Sequence, residues 1–519
     1  MTAFPTCPVP SESSPSSLEA FREVASPRDP LAFWELEQQA CLCVARRQVR
    51  QHAHRQADQI LGHHLSRLHQ DAAFVQAAIE KVRKESPIPL IHKGYKTVSV
   101  RLPGGTRFLV KTPYLRPNHR GKRGPKRTRR GPKGVGHYPV LEAVGIRDGV
   151  SPATRSELAL YTVQAGSYQE AVHLLAERGF QVDPATLARI AQATAQTDIS
   201  LREIALEQAR SLPLPEKGLL AGKRVRISID GGRLRTRKAK KGRKTRRGRH
   251  RFDTPWREPR MLVIDILKED GSTDPLRLPL YDVLLGNAQA TFALVLGYLR
   301  LLGAAQAQVI VFIADGAPWI WERTHWLRLQ AGIPADKWVE VIDFYHASQH
   351  LHATIELCRN LSSSQREALF EQLRHTLRTD PKGVDRLLQQ LRPYAVTRRA
   401  QKMNKALAYF EQHAARMAYA QLDAQHLPVG SGRAESAIRR VINLRFKASG
   451  TFWKEETVEG LMHLRATFKA GRWEEMIQRV LLQTFMPPDF EPLTRAQQIA
   501  LPLEEEAEAT HNQPLAKAA

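Results

Sequence analysis

The chain has 519 residues, 42% of them hydrophobic, which is enough for several domains with buried cores and too long for a single small module. Its formal net charge of +26 is concentrated: residues 116–133 carry nine Lys and Arg, residues 233–251 carry twelve, and neither tract contains an acid, so removing those 21 leaves +5. Like charge at this density resists burial and seeks a polyanion, which makes nucleic acid the expected partner and excludes a membrane interior.

No run approaches the roughly 18 apolar residues of a bilayer span, since the longest, 291–305, is broken by Arg300. The first residues, MTAFPTCPVPSESSPSS, lack the basic and apolar segments of a secretory signal, so the expectation is a cytoplasmic, nucleoid-associated protein. Cys7, Cys41, Cys43 and Cys358 fit neither a disulfide framework nor the paired CxxC units of a zinc site.

In chain order, residues 1–28 are rich in Pro and Ser and read as disordered. A helical region over 29–86 gives way to residues 87–149, where alternating runs Lys96–Leu102 and Arg107–Leu115 flank Pro-Gly-Gly as a β-hairpin. The basic arm that follows, with Lys122, Arg123, Lys126 and Arg129, is punctuated by Gly and Pro and suits phosphate contacts. Residues 150–200 read as three helices, the second over Ser167–Glu177 and the third capped by Asp183 with Pro184 at its first position. As a helix-turn-helix, this unit would send Thr186–Ala193 into a major groove, with Arg189 and Gln192 reaching bases; an ordinary three-helix packing unit is equally compatible.

From 220 to 346 strands and helices alternate: 225–230, 261–267 and 277–285 as strands, 290–304 as a helix, 308–316 as a strand buried on both faces, 318–328 as a helix and 338–343 as a strand. That order predicts an α/β, ribonuclease-H-like core. Residues 347–428 carry no strand signal and read as an all-α insertion; 429–485 resumes the core, and 500–519 reads as a disordered tail.

Phosphodiester chemistry needs an activated oxygen nucleophile and neutralisation of charge on the leaving oxygen, which paired Mg²⁺ or Mn²⁺ ions held by hard carboxylate ligands supply. Asp230 ends the first core strand, Asp315 ends the most apolar strand, and Glu435 lies in the first turn of a helix within VGSGRAESAIRR. Each alone is equally well a turn residue or a helix-dipole partner; jointly they occupy the ends of three core elements. Asp265 and Glu340, the competing acids, lie in mid-strand, where a carboxylate more often pairs across the sheet or faces solvent. Asp343 and His346 form an Asp-x-x-His pair where strand meets helix, with a structural role ranked ahead of proton transfer or phosphate contact; His350 and His352 read as helix-surface residues. Trp319 and Trp321 follow Asp315 closely, as core residues or with Trp319 as a base-stacking surface. Arg433 and Arg439 flank Glu435 as phosphate contacts.

Four segments, IDGGR (229–233), FIADGAPWIW (312–321), VIDFYHASQHL (341–351) and GSGRAESAIRRVINLRFKASGTFW (430–453), together resemble bacterial insertion-sequence DDE transposases of the Kra type, related to Mutator-like transposases. The likeness covers roughly 150–475. It implies Asp230, Asp315 and Glu435 as catalytic residues holding two metal ions, an Asp343/His346 signature and a helical insertion before the glutamate. Where some relatives carry cysteine pairs, this chain has its basic arm. The second basic stretch, with Arg233, Arg235, Lys238, Lys241, Arg246 and Arg247, is expected as a long loop beside the site, holding DNA by its phosphates. The resulting expectation is cleavage and strand transfer on double-stranded transposon-end and target DNA by at least a dimer. The alternatives are a structure-selective nuclease on the same fold and a non-catalytic DNA-binding derivative.

Overall fold

The computed structural model describes residues 42–117, 136–246, 248, 250–396 and 400–500. The expectations for the first 28 residues, for Lys122, Arg123, Lys126, Arg129 and Arg247, and for the tail from 501 lie outside the described residues. The chain divides into two compact units, Met1–Glu157 with Ser167–Leu187, and Leu158–Gly166 with Ala188–Ala519. The segment expected as a helix-turn-helix is therefore shared between them.

In the first unit, helices Leu42–Gln70 and Ala72–Glu85 precede an antiparallel hairpin of β1, Leu90–Arg101, and β2, Arg107–Pro117. Its ladder begins six residues earlier than expected because a bulge between His92 and Tyr95 lets 90–92 stay in register with 115–117. Val100 and Val110 face Leu65, Leu141 and Ile146 in a small core. Asp58, buried, accepts the backbone N–H groups of Gly104 and Thr106, both at 2.9 Å, and so fastens the hairpin turn to the long helix.

The second unit is mixed α/β. After β3, Arg224–Gly231, comes an outgrowth of four two-residue strands: β4, Leu234–Arg235, β5, Lys238–Ala239, β6, Phe252–Asp253, and β7, Trp256–Arg257. The main sheet continues with β8, Arg260–Leu267, β9, Leu280–Leu284, β10, Val309–Ala314, and β11, Trp338–Ile342. Its order is β11-β10-β3-β8-β9, with β3, β8 and β9 an antiparallel meander and β10 and β11 parallel to β3. Ile227, Ile264, Val311, Phe312 and Ile313 are fully buried, and helices Ala288–Leu301 and Pro318–Gln330 cover them through Phe292, Val295 and Leu327. Strands buried on both faces explain why 309–314 reads as one unbroken apolar run.

Among the described residues between Phe344 and Ala424, α-helices span Phe344–Ile355, Ser363–Thr379, Gly383–Leu391, Ala400–His413 and Tyr419–Ala424, with no strand. Leu373, Leu387, Leu391, Leu407 and Phe410 of these helices join the same buried cluster as the sheet, so the insertion extends the core.

Helix Pro184–Ser211 runs well past the predicted end at Ala193, since nothing in the following residues breaks it and Thr194, Ala195, Asp198, Arg202 and Leu206 bury one face. Its Arg202 meets Asp282 of β9 at 2.6 Å, and its Asp198 meets Arg479 at 2.8 Å and His463 at 2.8 Å. Buried charges persist when paired in this way, and losing one partner would cost about 3–5 kcal/mol. Among the described residues no helix is long and apolar enough to cross a membrane.

Candidate active site

Sheet register brings three acids to one edge. β3 and β10 pair Ile229 with Ala314, and β10 and β11 pair Ala314 with Ile342. The next residues are Asp230, Asp315 and Asp343, so three neighbouring parallel strands each deliver a carboxylate at the same end, the end at which open α/β sheets place their ligands. Asp230 accepts the Gly231 N–H at 2.6 Å and Asp315 the Ala317 N–H at 3.0 Å. The Trp321 indole N–H donates to the Asp315 carbonyl at 2.7 Å, locking the turn; Trp321 is thus a structural residue. Gly316 in that turn is dictated by packing, because a Cβ there would lie 2.2 Å from the Tyr409 ring.

Glu435 comes from the first turn of helix Gly432–Ile438, which packs on β3 and β8. Asp343 fixes where that helix begins. One of its oxygens accepts the N–H groups of Tyr345, at 2.8 Å, and His346, at 3.0 Å, capping helix Phe344–Ile355; the other accepts the N–H and hydroxyl of Ser431, both at 2.5 Å. Four donors fill the lone-pair positions of a carboxylate. Asp343 is fully buried and therefore serves as a staple between the sheet edge and the Glu435 helix. A second tie is Arg433, 3.3 Å from Asp265, which Arg226 of β3 also holds at 2.8 Å. Asp265 thus pairs across the sheet as a mid-strand acid should, and Glu340 pairs with Arg416 at 2.7 Å. Close approach at Gly232, where a Cβ would sit 2.7 Å from Ile442, seats β3 against the π-helical turn Arg439–Asn443 that continues the Glu435 helix.

The electrostatics register the convergence. Burial pushes the Asp230 carboxyl up to about 6; the Gly231 N–H and His346 oppose the rise, and the negative charges of Asp315 and Glu435 add to it. His346, 3.5 Å from Asp343, is pushed up to about 9 by that carboxylate against the effect of burial, with Asp230 and Asp315 adding. Burial would raise Asp343, yet His346 and the Ser431 donors hold it below the ordinary carboxylate value.

Two residues at this edge lacked a sequence signal strong enough to single them out. Tyr409, from the helical insertion, stacks on His350 with ring centroids 3.9 Å apart, and its hydroxyl is pushed up by burial with Asp315 and Asp343 adding. His350 stands one turn after His346, and its pKa is lowered by burial against Tyr409 and by His346, with Asp315 opposing; that i,i+4 spacing was the available clue.

Within the basic stretch 233–251, expected as a loop, two short pieces, Leu234–Arg235 and Lys238–Ala239, are strands that pair with residues 252–257 as a hairpin. Leu234 pairs with Arg257, Arg235 with Trp256, Lys238 with Asp253 and Ala239 with Phe252. The physical reason is a period-two pattern hidden among the charges: Leu234 and Thr236 are buried while Arg233, Arg235 and Arg237 are exposed. Lys238, Lys241 and Arg246 are exposed as well. Among the other predicted contacts, Arg189 and Arg439 are exposed, whereas Arg433 is engaged with Asp265. Gln192 donates to the Glu456 carbonyl at 3.2 Å and packs against Gly460, an anchoring position that explains why it does not project as a reading residue. Trp319 is half-buried, edge-on to Phe292 at 6.0 Å, with Arg260 over one face of its ring at 4.4 Å.

Asp230, Asp315 and Glu435 are hard oxygen donors, and the burial and mutual repulsion that raise Asp230 are what a divalent cation would relieve; chemically the set fits Mg²⁺ or Mn²⁺. Among the described residues no three acid, His or Cys side chains already stand at ligand distances from one point. Compared with known proteins, the chain matches no protein-family model and no curated protein.

Proposed function

We propose that this protein is a DDE-type DNA transposase, of the kind found in bacterial insertion sequences and related to Mutator-like transposases, acting through Asp230, Asp315 and Glu435 on a ribonuclease-H-like core. The observation that carries the reading is geometric: Asp230 and Asp315 follow the paired residues Ile229 and Ala314 at adjacent strand ends, and the short helix that bears Glu435 packs on β3, bringing together three acids far apart in sequence. Support also comes from the sheet order, a three-stranded meander extended by two parallel strands, and from the helical insertion that precedes Glu435.

Two Mg²⁺ or Mn²⁺ ions held by these carboxylates would activate the attacking oxygen and neutralise charge on the leaving one. His346, beside the acids, offers a ring N–H to a phosphate oxygen. Hydrolysis at a transposon end frees a 3′-hydroxyl, and that hydroxyl then bonds to a target phosphorus while the target's own 3′-oxygen leaves. Double-stranded DNA is held by phosphate contacts from the exposed arginines and lysines of the hairpin. Joining two ends implies at least a dimer on DNA.

The test is incubation of the purified protein with labelled end DNA and a target plasmid in Mg²⁺. Joined end–target molecules are the expected product. Nicked ends that never join indicate a nuclease on the same fold, and the absence of cleavage indicates a DNA-binding derivative; either result overturns the proposal.

A further inference from the structure

The hairpin between β3 and β8 carries more than charge. Trp256 is 51% exposed and Phe252 42% exposed, unusual for aromatic side chains on so basic an element. Arg235 lies 4.7 Å over the Trp256 ring, and Phe252 meets Phe452 edge-on at 5.7 Å. Around them Arg233, Arg237, Lys238, Lys241, Arg243, Lys244 and Arg246 face solvent.

The element is held in place. Arg237 donates its N–H to the Trp453 carbonyl at 2.8 Å, Trp453 donates to the Arg235 carbonyl at 3.0 Å, and Glu455 accepts from Thr236 at 3.1 Å and Arg257 at 2.6 Å. The hairpin is therefore rooted at Asp230 and Gly231 on one side and fastened to the segment after the Glu435 helix on the other. The first of these anchors includes a residue of the candidate active site.

We infer that this hairpin is a stacking platform for unpaired DNA, with the Trp256 indole and the Phe252 ring taking bases while the surrounding guanidinium and ammonium groups track the phosphates. Phosphate contacts alone need no exposed aromatic faces; bases do, and every unpaired base has a π-face to offer. A duplex hides those faces, so the platform fits a frayed or displaced strand beside the carboxylates. The inference takes from the transposase reading only the choice of DNA over RNA.

The experiment measures anisotropy of a labelled oligothymidylate and of a labelled duplex of equal length, with the full-length protein in EDTA so that no catalysis enters. Trp256→Ala is expected to weaken oligothymidylate binding roughly 5- to 150-fold, the range for one base stack. Duplex affinity should change by less than about twofold, since the phosphate contacts persist. Trp256→Tyr should restore most of the single-strand affinity, and an unchanged melting temperature in both variants excludes misfolding. Equal losses for both DNAs, no loss for either, or tighter wild-type binding of oligouridylate than of oligothymidylate would each overturn the inference. A protein that binds the oligothymidylate as expected but yields no joined product in Mg²⁺ would sink the transposase reading and leave the platform standing.

Discussion

Asp230→Asn, Asp315→Asn and Glu435→Gln are each expected to lower strand cleavage and strand transfer about a thousandfold or more, while end-DNA affinity stays within about twofold. The first figure follows from the several kcal/mol of charge stabilisation a metal pair supplies, at 1.36 kcal/mol per tenfold in rate. The second follows because duplex affinity is set by phosphate contacts from exposed basic side chains, which these substitutions leave in place. Because the three acids act as a unit, a double variant should be scarcely worse than a single one. Asp230→Asn also removes a carboxylate that burial raises to about 6, so this variant should fold at least as well as the parent. A loss of activity with retained melting temperature and retained binding is the pattern to look for in gel assays and thermal melts. An active Asp230→Asn protein would remove the basis for the catalytic assignment.

Substitution at Asp343 should have the next largest effect, and of a different kind. Its four acceptor contacts join two helix starts to the sheet edge. Asp343→Ala strands the Ser431 hydroxyl and N–H and removes an N-cap, for a destabilisation of about 3–5 kcal/mol. Asp343→Asn keeps the shape, yet its single acceptor oxygen cannot serve both helix starts. Ser431→Ala is milder, at about 1–3 kcal/mol, with one backbone contact left. In both milder variants the Glu435 helix loosens, and a displacement of about 1 Å lowers the turnover rate on the order of 100-fold without altering DNA affinity. A drop in cleavage rate at saturating DNA, with an unchanged dissociation constant, separates this positioning role from loss of a DNA contact. Wild-type turnover in Ser431→Ala would contradict it.

Much of this site was legible in the sequence because strand ends are. The alternation of Val225, Ile227 and Ile229 leads to Asp230, and the apolar run 309–314 ends at Asp315, so both acids stand where core strands finish. Glu435 was visible as an acid in a helix first turn. What the sequence hid was whatever depends on contacts between distant segments. Ser431 and Asp343 are 88 residues apart, and nothing local to either announces the other. Tyr409 reaches Gly316 only because the insertion shares the sheet's core. The basic hairpin was masked by its own charges, since the alternation of Leu234 and Thr236 with arginines is short and the strands are two residues long. Gln192 lies inside the expected helix Thr186–Ala193, and its partner Glu456 is 264 residues further along the chain, so nothing local announces the contact.

Diffraction at the manganese edge from crystals soaked in Mn²⁺ reports on the shared carboxylate pocket without passing through catalysis. Two anomalous peaks about 4 Å apart, with Asp230 between them and Asp315 and Glu435 each touching one, are the predicted result. Occupancy should fall as the soak is acidified below about pH 6, because Asp230 takes up a proton there and each bound ion must displace it. Manganese bound elsewhere, or ordered crystals with no peak against these three side chains at neutral pH, would contradict it.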